Sequence, residues 1–161
     1  MSASALNTLN GKVPGTVTVT AAVTLTGTAS DIATAASADN AGTLALASNF
    51  GATVSTGAVD AADLITIYGQ TSATINATAA TGINGSAANV HTVIDHAQVN
   101  HDTNFTVTIS GTSAAAADLK AINTITSGII TATGVETITG SLSDVGDVVD
   151  VDTSKGNAGQ Q

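Results

Sequence analysis

The chain has 161 residues, of which 43 % are hydrophobic, 9 % charged and 2 % aromatic, with no cysteine and a net charge of −9. The missing cysteines rule out a disulfide framework, thiolate catalysis and Cys-zinc sites. Three lysines and no arginine leave no basic surface for nucleic acid or an anionic membrane.

Taken in order, Met1-Ser2-Ala3-Ser4-Ala5-Leu6 has neither the basic nor the apolar region of a Sec signal peptide, so none is expected, and Ser2 to Leu9 reads as a helical cap. Thr16-Val17-Thr18-Val19-Thr20 alternates at period two, a strand with Val inward and Thr outward. Gly27, Gly57, Gly85, Gly111 and Gly140 each precede a short polar, Ala-rich stretch. Each stretch ends in Asp or Asn plus an aliphatic: Asp31-Ile32, Asp63-Leu64, Asn89-Val90, Asp118-Leu119 and Asp144-Val145. Thr106-Val107-Thr108-Ile109 and Thr137-Ile138-Thr139 repeat the strand pattern. Between them, Ser113 reads as the N-cap of an Ala-rich helix carrying Leu119, Ile122 and Ile125 on one stripe. Asp147-Val148-Val149-Asp150-Val151-Asp152 reads as a terminal strand with exposed Asp guarding a sheet edge, and residues 153–161 as a flexible tail. No stretch approaches the roughly 20 apolar residues of a membrane helix.

Self-comparison organises these elements. A 55-residue shift lays Phe50 to Val90 on Phe105 to Val145 without a gap, and a 113-residue shift lays Leu6 to Ile32 on Leu119 to Val145. Residues 1–152 thus form a single repeat domain with copies of about 4–61, 62–116 and 117–152. The first copy holds three extra residues between Ala33 and Asn49, an insertion expected in a loop. Halved again, the unit gives a rung of about 28 residues, within the solenoid range. Strand, turn, short helix, strand at a fixed period requires parallel pairing with right-handed connections. The expected fold is an α/β repeat solenoid with parallel strands, short Ala-rich helices and about five rungs; the alternative is an all-β parallel solenoid. With 30 Ala, 28 Thr and 16 Gly, the chain packs through many small contacts rather than an aromatic cluster.

The phrases Ser4-Ala5-Leu6-Asn7-Thr8-Leu9-Asn10-Gly11, Gly15-Thr16-Val17 and Thr26-Gly27-Thr28-Ala29-Ser30-Asp31-Ile32 resemble tandem repeats of very long surface proteins of marine cyanobacteria. They also resemble repeats in structural proteins of the phages that infect those cells. The resemblance is to a repeat style, so it carries over no site residue. It implies a structural or adhesive role.

Few residues offer chemistry. His91, His96 and His101, with Asp95 and Asp102 beside them, lie in one copy at intervals of five. That spacing turns each by about 140° from the last on a helix, so only His91 and Asp95 could share a face. No metal site is expected from them, and they read as solvated rung-edge residues. The acidic C-terminal segment lacks the Gly and terminal Glu of an EF-hand loop. The Gly-rich turns lack a P-loop lysine or a GxGxxG run, and no GxSxG elbow accompanies the serines. Ala73, Asn76 and Gly82 break the outward Thr row that an ice-matching face would need. Phe50, Tyr68 and Phe105 are scattered over different copies, away from any sugar-stacking pair.

The expectation is therefore a non-enzymatic structural protein with no catalytic, cofactor or metal residues. It is a phage virion component of capsid-decorating or fibre type, oligomeric, whose partners are other virion or surface-assembly proteins, with no nucleic acid and no membrane insertion. The alternative is a secreted or cell-surface adhesive or filament-forming solenoid.

Overall fold

A computed structural model describes residues 1–150 and is an α/β structure with six helices and twelve strands among them. The helices are α1 (Ala3–Asn10), α2 (Ala29–Asn40), α3 (Ala61–Tyr68), α4 (Ala87–Ile94), α5 (Ala116–Ile125) and α6 (Leu142–Asp150). The strands are β1 (Val17–Thr18), β2 (Thr24–Gly27), β3 (Leu44–Ala45), β4 (Gly51–Val54), β5 (Gly57–Asp60), β6 (Ile75–Asn76), β7 (Ala80–Gly85), β8 (Val99–Asn100), β9 (Thr106–Ile109), β10 (Ser113–Ala115), β11 (Ile130–Thr131) and β12 (Thr137–Thr139). The helices exclude the all-β alternative. None is long and apolar enough to cross a membrane.

Every strand pair is parallel, in four sheets ordered β1-β3, β2-β4-β6-β8, β5-β7-β9-β11 and β10-β12. The register stacks like on like. Leu25 faces Ala52, then Ile75, then Val99; beside them Val59 faces Ile83, which faces Val107. All seven side chains are buried, while Thr24, Thr26, Thr106 and Thr108 point outward as the alternation requires. Each helix packs on the next along the chain, from α1 on α2 to α5 on α6. Leu6, Ile32, Leu64, Val90 and Leu119 turn inward from the helices to meet the strand ladders.

The steps from helix to helix are of two kinds, and the five glycines divide accordingly. Gly27 and Gly85 directly precede the N-caps Thr28 of α2 and Ser86 of α4, and Gly140 precedes Ser141 before α6. Their φ values of 148°, 149° and 147° lie where a side chain is strained. A Cβ on them would sit 3.8, 3.3 and 3.2 Å from the Cβ atoms of Ala3, Ala61 and Ala116, the first residues of the helices before. Gly57 and Gly111 precede no helix: Gly57 opens β5 and Gly111 leads to β10, strands inserted ahead of α3 and α5. The repeat boundaries at 61/62 and 116/117 fall one residue inside those same helices.

Three local expectations are corrected. Ser113 is not an N-cap: Ser113–Ala115 pairs with Thr137–Thr139, and α5 begins after Ala115 without a side-chain cap. The extra residues of the first copy lengthen a helix rather than a loop, since α2 has 12 residues against 8 in α3 and α4. The segment read as an acidic strand from Asp147 is the second half of α6. Helix period, with Val145 and Val148 half-buried, prevails over the local alternation because Ser141 Oγ caps the helix, accepting the Asp144 N–H at 3.1 Å. Val151 and Asp152 of that segment, and the expected tail 153–161, lie outside the described residues.

The two glycine environments predict opposite outcomes for one substitution. Gly85→Ala combines a positive φ with a close Ala61 contact and should cost about 1–3 kcal/mol. Gly146→Ala lies inside α6 with nothing within 4 Å and should stabilise by about 0.5–1 kcal/mol. Urea denaturation of the two variants reads both signs.

Candidate functional site

The residues with chemical potential are spent on holding one step to the next. At the N-termini of α2 and α6, Thr28 and Ser141 accept the amide of the residue three on and donate to its carboxylate, at 2.9 Å for Asp31 and 2.7 Å for Asp144. Ser86 accepts the Asn89 amide in the same way. This accounts for Asp31 and Asp144: each closes a cap on a helix whose first turn needs acceptors and favours negative charge. At α3, Asp60 is itself the cap, accepting from Ala62 N at 2.8 Å. Partial burial, and then the neighbouring Asp60 carboxylate, raise the Asp63 carboxyl above its ordinary value.

At α5 the cap is Ala115, so Asp118 is free to do something else. It accepts a hydrogen bond from His91 Nδ1 of α4 at 2.8 Å, with both side chains partly shielded. Lys120 continues the seam to α6, contacting Asp147 Oδ2 at 2.5 Å and Asp144 Oδ1 at 3.7 Å. The hydrogen bond to Asp147 leads the causes that hold its ammonium above the usual lysine value.

The other two histidines are also engaged rather than solvated. His96 stacks on Tyr68, ring centroids 4.0 Å apart and 14° from parallel, tying the end of α3 to the chain after α4. His101 sets its edge on Phe105 at 5.1 Å, with the carbonyls of Ile94 and Asp102 at its two ring nitrogens. The three imidazoles therefore take separate partners, and Asp95 ends α4 with its backbone N–H donating to the His91 carbonyl. Among the described residues no three His, Asp or Glu side chains converge on a point where an ion could be held.

The most constrained polar groups are ones that the sequence reading passed over. Thr71 and Thr126 are the buried polar side chains among the described residues, 6 % and 1 % exposed. Each follows a helix of the same kind, α3 or α5, and each hydroxyl donates at 2.5 Å to the carbonyl of the buried Phe50 or Phe105. Each also accepts an amide two residues on, from Ala73 at 3.1 Å or Gly128 at 3.0 Å. The next residues, Ser72 and Ser127, bond the backbone carbonyls of Ser48 and Thr103. Gln98 then closes the first clasp from the following step, donating to the Thr71 and Ala73 carbonyls. The signal was present in the 55-residue shift, which lays Phe50, Thr71, Ser72 and Ala73 of the first clasp on Phe105, Thr126, Ser127 and Gly128 of the second. It was masked by the ordinariness of Thr in a chain with 28 of them.

Thr71→Val or Thr126→Val keeps the shape and removes the hydroxyl, stranding a buried carbonyl and an amide. Each should cost about 1–3 kcal/mol, against a few tenths for exposed Thr108→Val, by chemical denaturation. Asp63 supplies a pH test. Its folded form holds the proton to higher pH than the unfolded chain, so stability falls as pH climbs through the window above 3.8 and stays lowered beyond it. Asp63→Asn should therefore raise the melting temperature at pH 7, and the gain should vanish below the ordinary carboxylate range.

No family model, no curated protein and no solved structure matches the chain.

Proposed function

We propose that this chain is an α/β repeat solenoid of about five rungs that works as a non-enzymatic structural protein of a phage particle, of capsid-decorating or fibre type. It acts by assembly and surface attachment, with other virion proteins as partners. One observation carries the reading: the most constrained polar side chains hold successive steps together, and the clasp at Thr71 recurs 55 residues on at Thr126. Thr71 and Thr126, the helix caps, His91 with Asp118 and Lys120 with Asp147 all serve cohesion. A surface of outward Thr with a net charge of −9 suits attachment to proteins rather than to nucleic acid. The resemblance of the repeat phrases to cyanophage structural proteins supports a place in the virion.

A second reading, an exported adhesive or filament-forming protein of the cell surface, rests on the same repeats, which resemble cyanobacterial surface arrays as well. Mass spectrometry of gradient-purified particles separates the two. The virion reading expects the chain at a fixed ratio to the major capsid protein. Its absence from particles, together with its recovery from washed cells or extracellular filaments, would replace that reading with the second.

A further inference from the structure

The first and last helices are built like internal ones. Leu142 and Val149 of α6 are 91 % and 68 % exposed, yet the repeat places them on Ala87 and Ile94 of α4, which are 3 % and 6 % exposed. In α2 the same positions, Ala29 and Ala36, are 4 % and 0 % exposed. At the opposite end Leu9 of α1 is 49 % exposed, while its counterparts Ile67 of α3 and Ile122 of α5 are both fully buried. In each case the covered copies have a helix on both sides, and the exposed copy has one.

The kind of helix that would cover α6 can be read from the alternation. α6 is of the type of α2 and α4, with the same Gly, Ser/Thr cap and third-residue acceptor. What packs on α2 is α3, and what packs on α4 is α5. The 113-residue shift aligns α1 with α5, and Leu6 matches Leu119 as Leu64 does in α3. Charge agrees. Residues 1–30 contain no carboxylate and carry Lys12, whereas residues 121–150 contain Glu136, Asp144, Asp147 and Asp150 and no lysine.

We propose that the exposed face of α6 receives the exposed face of α1 from a second copy of this chain, so that copies stack head to tail. Leu142 and Val149 of one copy and Leu9 of the other are buried at the junction. The two faces differ, so the contact is heterologous and open, and it propagates to a row of copies rather than closing as a symmetric dimer. This rests on the assembly reading above and names the partner that the α6 face takes.

Sedimentation velocity of the purified chain over a concentration series tests it. The wild type should form a ladder of species that shortens as salt is raised. Leu9→Asp and Val149→Asp, substitutions at solvent-exposed positions whose folding a thermal melt checks, should each remain monomeric. Mixed together they should form a dimer and nothing larger, because each retains the face that the other has lost. A wild type that stays monomeric, variants that assemble like the wild type, or a mixture that yields no dimer from two folded variants overturns the head-to-tail contact. The particle assay fails independently: a monomer found in virions removes the stacking and keeps the virion role, and stacking without virion association does the reverse.

Discussion

Parallel strands lie about 4.8 Å apart, whereas helices pack with axes about 8–10 Å apart, and a chain that alternates the two must reconcile these spacings at every step. Here the reconciliation is visible in the numbering. From α3 to α4 the strand register advances by 24 residues, Val59 facing Ile83, while the N-cap advances by 26, from Asp60 to Ser86. Ala114 facing Ile138 and Ala115 preceding Ser141 repeat that relation before α6. Two residues of slip along a strand, at about 3.3 Å each, combine with the strand spacing to give a displacement of about 8 Å. That is a helix-to-helix distance. The slip also decides which residue lies over which, since it lays the glycine ahead of the caps of α2, α4 and α6 on the first alanine of the previous helix.

The composition follows from that contact. Ala3, Ala61 and Ala116 are buried at the first position of α1, α3 and α5, where a larger group would press on the glycine ahead of the next cap and hold that strand off its register. With small residues required there, the two phenylalanines carry much of the remaining volume, and Phe50 and Phe105 are the largest fully buried side chains. Their backbone carbonyls lie where no strand partner reaches them, and Thr71 and Thr126 take over that role with a side-chain donor. A buried hydroxyl bonded on both sides is cheap, whereas an unpartnered carbonyl costs as much as several methyl contacts bring. Charge is sparse for a related reason: carboxylates find use at helix caps, as Asp31 and Asp60 do, and along the outer helix seam, where His91 meets Asp118 and Lys120 meets Asp144 and Asp147 across steps.

Much of this was legible in the residues. The strands at Thr106–Ile109 and Thr137–Thr139 show in pattern, because alternation is local chemistry, whereas the one cap read from the residues, Ser113, belongs to a strand. The parallel pairing follows from period alone. What stayed hidden depends on partners far along the chain. Ser113–Ala115 is a strand because Thr137–Thr139 lies beside it, and nothing in a Ser-Ala-Ala triplet announces that. Asp147 to Asp150 looked extended because it was read together with the alternating Val149-Asp150-Val151-Asp152, and the cap at Ser141, six residues before Asp147, was not counted with it. The five glycines looked equivalent because spacing near 28 residues blurs two distinct roles. The histidines seemed idle because their partners, the Asp118 carboxylate, the Ile94 carbonyl and the Tyr68 ring, belong to other steps or to backbone.

The inserted strands β5 and β10 give the molecule a natural length quantum. Since they occur ahead of α3 and α5 but not ahead of α2, α4 or α6, one helix-to-helix step cannot be swapped for its neighbour without misplacing a strand. Unequal recombination within the coding sequence would therefore be tolerated in increments of one helix pair, about 55 residues, and selected against at half that size. A lineage carrying such a chain can lengthen or shorten it as a ruler is cut at its marked divisions, keeping both end faces unchanged while the distance between them varies.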